Sequence, residues 1–194
     1  MMTRAMHQKS AGLANRWPQQ VDLSKAQTIM DVGAGSGIHV IEACRKFPNL
    51  QGTALDLPWI TPITNEFIEK YGMRGRVKTA SVDIFKKPLP NTDIIMMCDI
   101  LHDWSDEKCN VILAKSWDAL PSGGRIILLE TLLNEDGIGP SVAVWFHLAV
   151  VKMLEGGQQR TGSKFRAMLK KAGFKDVTMT PSLSGATLIQ AVKA

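Results

Sequence analysis

Apolar positions recur along this chain in two rhythms, and the rhythms alternate. Short apolar runs, such as Ile29-Met30-Asp31-Val32 and Ile94-Ile95-Met96-Met97-Cys98, fit strands covered on both faces. Between them, apolar residues fall at helical spacing, as in Ile63, Phe67, Ile68 and Tyr71. The pattern predicts strands near 27–32, 51–56, 76–81, 92–98, 125–131, 174–180 and 187–193. It predicts helices over 2–16, 37–47, 58–71, 106–120, 141–154 and 161–172. Local punctuation agrees: Trp17-Pro18 and Pro48 stop helices, Gly72 and Gly173 close them, and Ser105 caps one. Only Pro181 to Gly185 separates the last two strands, which suits a hairpin. The prediction is therefore α/β: a doubly wound, mostly parallel, seven-stranded sheet with an antiparallel C-terminal hairpin. The helix over 141–154 is apolar nearly all round through Trp145, Phe146, Met153 and Leu154, which predicts core packing, with any part facing the cleft serving as an aromatic wall.

Ligands of such sheets sit beyond the carboxyl ends of the strands. Those ends carry the candidate chemistry. The first strand runs into Asp31-Val32-Gly33-Ala34-Gly35-Ser36-Gly37, and the second ends in Asp56-Leu57. Glycines let a ligand lie across the turn, and a carboxylate accepts hydrogen bonds from both hydroxyls of a ribose. The dinucleotide fingerprint has its third glycine where this chain has Ile38, which disfavours a nicotinamide dehydrogenase. Asp31 adds negative charge, which suits a sulfonium beside an amino-acid tail, and D-x-G-x-G-x-G resembles the first motif of class I methyltransferases. The third strand leads to Asp83 and Ile84, placed for an adenine ring. The fourth leads to Asp99, His102, Asp103 and Trp104. The fifth ends at Glu130. His102 is the natural general base, and Glu130 is placed to orient it and favour its protonated form. His7 is expected at the surface, and His147 in a pocket or the core.

Composition narrows the picture further. At 194 residues the chain suits one domain, with 1–20 as a linker helix and 21–194 as the cofactor domain. No apolar run reaches the roughly 18 residues of a membrane span, and Met1 to Ser10 lacks the apolar core of a signal peptide. The net charge of +5 is spread out, and Lys164, Arg166, Lys170 and Lys171 read as a solvated helix face, so no nucleic-acid partner is expected. Cys44, Cys98 and Cys109 show no metal-site spacing. Reduced thiols, no metal and a cytoplasmic location are expected.

Three strings then agree in order and spacing: Leu101-His102-Asp103-Trp104-Ser105-Asp106-Glu107, Pro121-Ser122-Gly123-Gly124-Arg125 and Gly156-Gly157-Gln158-Gln159-Arg160-Thr161. From about Met6 to its end the chain resembles the plant-type and bacterial small-molecule O-methyltransferases, such as those acting on caffeate or hydroxyindoles. The resemblance implies S-adenosylmethionine as cofactor, held by Asp31, Gly33, Gly35, Gly37, Asp56, Leu57, Asp83 and Ile84, with Met6 and Ser10 bordering it. It implies His102, Glu130 and Asp103 as the catalytic set, a small aromatic hydroxyl compound as acceptor, and no metal. Cys98 stands where the family has a lysine beside the adenine, and Gln159 where it often has a second acidic partner of the histidine. The family's N-terminal dimerisation domain is absent, so homodimerisation is an open expectation. Alternatives are a relative that uses the cofactor without methylating, and a non-catalytic cofactor-binding domain. A nucleic-acid N-methyltransferase is disfavoured, since Asp99 to Trp104 does not match its motif.

Overall fold

Strands β1 (Thr28–Val32), β2 (Gln51–Asp56), β3 (Val77–Ser81), β4 (Ile94–Cys98), β5 (Arg125–Glu130), β6 (Lys175–Pro181) and β7 (Thr187–Val192) form one sheet, in the order β3-β2-β1-β4-β5-β7-β6. The structure is a computed structural model that describes residues 2–154, 156–182 and 186–194. Leu183 to Gly185, the tip of the expected hairpin loop, lie outside the described residues. The β1 to β5 pairings are parallel, and β7 runs antiparallel to both β5 and β6. The chain leaves β1 toward β2 and β3, then returns to place β4 on the other side of β1. That switch point opens a crevice at the strand ends.

Among the described residues six helices accompany the sheet: α1 (Met2–Ala11), α2 (Ile38–Lys46), α3 (Thr61–Lys70), α4 (Asp106–Ala119), α5 (Ser141–Met153) and α6 (Gly162–Lys171). Strand residues alternate between two cores, as the period of two requires. Met30, Val32, Ile95 and Met97 join a cluster with Leu113, Phe165 and Leu169 of α4 and α6. Ile29, Ile94 and Met96 join the opposite cluster with Val40, Ile41 and Cys44 of α2.

Three expectations are corrected. The first helix ends at Ala11 and not at 16, because Gly12 opens a turn in which the Ser10 carbonyl accepts both Leu13 and Ala14 N–H groups. A 3₁₀ turn over Trp17–Gln20 follows, and Trp17 is fully buried. The helix expected from Pro58 starts at Thr61, since the Leu57 carbonyl takes the Ile60 and Thr61 N–H groups in a preceding turn. Helix α5 is not core: only Ala143 and Val150 are buried, while Val142, Trp145, Leu148, Val151 and Met153 are exposed.

Candidate active site

The turn after β1 is left-handed at each glycine, with φ of +74° at Gly33, +54° at Gly35 and +73° at Gly37, a conformation that a side chain strains. At Gly33 a Cβ would also collide with Ile100 Cδ1, whereas the Cβ direction of Gly35 is open up to Thr3 Cγ2 at 3.9 Å. Asp56 closes the turn. Its Oδ2 accepts the Gly35 N–H at 2.7 Å and its Oδ1 accepts the Leu57 N–H at 2.7 Å. Each oxygen keeps lone-pair capacity for a further donor. Burial raises the Asp56 pKa against the pull of those two N–H groups. Asp31 lies beneath, 1% exposed; it receives a backbone hydrogen bond from Val40, and its Oδ2 has no partner among the described residues. Burial first, then the neighbouring Asp56 charge, pushes its pKa up to about 7. A turn with an open glycine edge above a buried carboxylate that has one oxygen unpartnered fits a ligand with hydroxyl donors and a cationic centre.

Helix α1 lies across this turn. His7 is buried and not on the surface: its Nδ1 is 3.0 Å from Ser36 Oγ, its Nε2 is 3.4 Å from the Tyr71 hydroxyl, and its ring stacks on Phe67 at 3.9 Å. Met6, beside it, is exposed, and Ser10 is half-buried. Lys9 donates to Asp99 Oδ2 at 3.4 Å and sits 4.6 Å from the centre of the Phe146 ring. Reading the sequence missed both roles of this helix, because an isolated lysine and histidine in a polar segment carry no signal of what they meet.

Opposite the turn, β4 leads into Asp99, itself left-handed at φ 54°. A 3₁₀ turn over Leu101–Asp103 then presents His102. Glu130, with no exposure at all, organises this turn from the end of β5. Its Oε1 accepts the N–H groups of Ile100 (3.2 Å) and Leu101 (2.8 Å), and its Oε2 lies 3.0 Å from His102 Nδ1. On the other ring nitrogen, Nε2, Asp103 Oδ1 lies at 3.3 Å. Burial alone would lower the His102 pKa, but Asp103, Glu130 and Asp99 together outweigh it and raise it to about 10. Asp99, His102 and Glu130 offer three atoms within 4.8 Å of one another. Both Glu130 oxygens already serve protein N–H groups, which suits a hydrogen-bonded imidazolium.

A third segment backs the histidine. The Gln158 N–H donates to the His102 carbonyl at 2.8 Å, and the Gln159 N–H donates to His147 Nδ1 at 3.2 Å. The Gln159 carboxamide is buried, and among the described residues neither its Oε1 nor its Nε2 is partnered. Arg160 is buried too and hydrogen-bonds Asp106 and several carbonyls of the His102 turn. The sequence singled out the string but gave Arg160 no role.

Farther along the rim, Asp83 accepts the Phe85 N–H at 3.0 Å, so it holds its own turn. Ile84 packs against the core near Phe85 and Trp104, whose rings meet edge to face at 4.7 Å. Cys98 is half-buried, and burial together with the Asp99, Asp31 and Glu130 charges keeps its thiol protonated. All the expected site residues thus fall on the rim or on α1 beside it.

A family model described as the O-methyltransferase domain matches residues 1–175. The chain is 41% identical over 167 residues to 3-hydroxy-5-methyl-1-naphthoate 3-O-methyltransferase of Streptomyces sahachiroi, covering 84% of this chain and 48% of that protein. It superposes with a TM-score of 0.94 and 28% identity on an O-methyltransferase family 2 protein from Planctomyces limnophilus in complex with apigenin, covering 100% of this chain and 60% of that one. Human N-acetylserotonin methyltransferase in complex with SAM gives a TM-score of 0.91 and 26% identity, over 100% of this chain and 55% of that one. The chain spans about half the length of the curated relatives it matches.

Proposed function

The chain belongs to the O-methyltransferase domain family, and from that premise we propose that it transfers a methyl group from S-adenosylmethionine to a hydroxyl of a small aromatic molecule. The observation that carries this reading is the Glu130–His102 pair, at 3.0 Å, on the same rim as the glycine turn and Asp56. Asp56 would hold the ribose hydroxyls, with Gly33, Gly35 and Gly37 giving the close approach and Leu57 flanking them. Asp83, Ile84 and Cys98 would border the adenine, and Met6 and Ser10 would cover the site from α1. Asp31 would offset the cationic charge. When bound, the cofactor supplies an electrophilic methyl group on a sulfonium.

His102 Nε2 takes the proton of the acceptor hydroxyl, and the buried Glu130 carboxylate stabilises the imidazolium so formed. In the resting arrangement Asp103 occupies that nitrogen. Its side chain is 37% exposed and free to turn outward as the hydroxyl arrives. Losing that carboxylate lowers the proton affinity of the ring just where a neutral base is required. Phe146, with Lys9 against its ring, forms one wall for a planar acceptor. A reducing cytoplasm suits the three free cysteines. Homodimerisation is proposed on the resemblance, and the exposed apolar residues of α5 support it.

Calorimetric titration with S-adenosylhomocysteine, with NAD as control, tests the cofactor. Binding of the former alone is expected, and binding of neither removes the reading for this chain. His102→Ala is expected to leave that affinity intact and to lower methyl transfer by about 10²-fold or more; unchanged turnover takes His102 out of the reaction.

A further inference from the structure

We propose that Arg160 is a positioning residue that fixes the backbone turn carrying His102 and thereby aims the imidazole at Glu130 and the acceptor. This rests on the reading of His102 as the base. Arg160 is 3% exposed. Its Nη1 donates to the Leu101 carbonyl at 2.8 Å and the Gln158 carbonyl at 3.2 Å, its Nη2 to the Trp104 carbonyl at 2.7 Å, and its Nε to Asp106 Oδ1 at 2.9 Å. Leu101 and Trp104 bracket His102 and Asp103. The carbonyl of His102 itself accepts the Gln158 N–H.

The turn is therefore held from two sides. Glu130 takes its N–H groups at Ile100 and Leu101, upstream of the histidine. The 156–160 segment takes its carbonyls on both sides of the histidine. Without Arg160, the Leu101 carbonyl keeps the Trp104 N–H at 3.3 Å and the Cys109 thiol, a weak donor, at 3.1 Å, while among the described residues the Trp104 carbonyl keeps only that thiol, at 3.6 Å. A rigid planar fork reaches separated carbonyls together, and a lysine does not.

Charge and positioning predict opposite outcomes, which makes the proposal testable. The groups that face His102 are Asp99 and Asp103 on its own segment and Glu130 on β5, with Lys9 of α1 paired to Asp99. Arg160 is a nearby cation, itself paired with Asp106. If it acted only as a charge, removing it would raise the proton affinity of His102. If it aims the ring at its carboxylates, removing it lowers that affinity.

The experiment is a nuclear magnetic resonance titration of the imidazoles in the full chain, with His102 assigned by His102→Gln. Arg160→Met is expected to lower the His102 pKa by about one unit or more, a tenfold loss of proton affinity, with circular dichroism unchanged. Arg160→Lys, which keeps the Asp106 pair, is expected to recover part of that loss and serves if the methionine variant does not fold. A His102 pKa that stays or rises in a folded Arg160 variant overturns the proposal. The readout needs no turnover: a lowered pKa in a chain that methylates no acceptor leaves the positioning role standing and removes the O-methyltransferase reading instead.

Discussion

At the scale of single residues, the site is a set of carboxylates with different obligations. Glu130 has both oxygens committed to the protein. Asp56 has each oxygen half-committed, and Asp103 is tied only to a ring nitrogen at 3.3 Å. The least committed group is the cheapest to move, so Asp103 sets how readily His102 becomes neutral. Replacing it with asparagine removes a negative charge beside an imidazole held near 10, and the pKa falls toward the ordinary 6.5. The acid limb of the pH–rate profile of Asp103→Asn is then expected to move to lower pH, by about one unit, with the neutral fraction rising tenfold at a given pH on that limb. A limb that stays in place means that Asp103 does not govern the base. For Asp56→Ala, S-adenosylhomocysteine binding is expected to weaken by roughly 1.5–3 kcal/mol, the worth of hydrogen bonds to a charged acceptor. An undiminished affinity by calorimetry places the ribose elsewhere.

At the scale of elements, close approach decides what a side chain can be. In β2 a Cβ on Gly52 would lie 2.7 Å from Val40 Cγ2 and 2.9 Å from Cys44 Sγ, both on α2. Gly52→Ala is expected to push α2 from the sheet and cost about 1–3 kcal/mol in a denaturant melt, as overpacking does; a melt that matches the parent shows that α2 yields freely. Nothing in Gln51-Gly52-Thr53 announces this constraint, because it depends on which helix crosses the strand. Strands were legible where the apolar run was continuous, as at Ile94–Cys98. The start expected at 92 failed because the Asp93 carboxylate instead receives the N–H groups of Gln27 and Thr28 at the head of β1. The rim residues after β1, β2, β4 and β5 were legible because the topology of an alternating chain places every strand end on one side. Contacts made by side chains of unlike elements were not. Lys9 on Phe146, His7 on Ser36 and Arg160 under the His102 turn join residues far apart in the chain. The exposed face of α5 was misread because a helix apolar all round looks the same in sequence whether the fold covers it or leaves it exposed.

At the scale of the whole molecule, the charges gathered at the rim give the fold a definite pH response. Asp31 has its pKa raised from 3.8 to about 7 by burial and by Asp56, so the folded chain binds a proton that the unfolded chain releases between those values. His102 is raised from 6.5 to about 10, burial notwithstanding, by its three carboxylates, and does the same over the next interval. In both cases the folded state holds more protons than the unfolded one, so stability falls as pH rises. The Asp31 contribution is whole below pH 3.8 and lost by about 7. That of His102 is whole below 6.5 and lost by about 10. Acting against them is His39, which burial lowers from 6.5 to about 4, so that its contribution is present above 6.5 and lost as pH falls toward 4. Asp93 and Asp106 act against them too. Burial would raise their pKa values, but the Gln27 and Thr28 donors, and the Lys164 and Arg160 cations, hold them low, so their contribution is present above 3.8 and lost as pH falls. Thermal stability is therefore expected to peak on the acid side of neutrality and to decline toward pH 10. Asp31→Asn is expected to flatten the decline below pH 7, and Glu130→Gln the decline above it. A melting temperature that rises from pH 5 to pH 9 contradicts both assignments. A cationic ligand seated over Asp31 relieves the same buried charge, so the stabilisation that S-adenosylmethionine adds is expected to be larger at pH 8, where Asp31 is ionised, than at pH 5, where it is neutral.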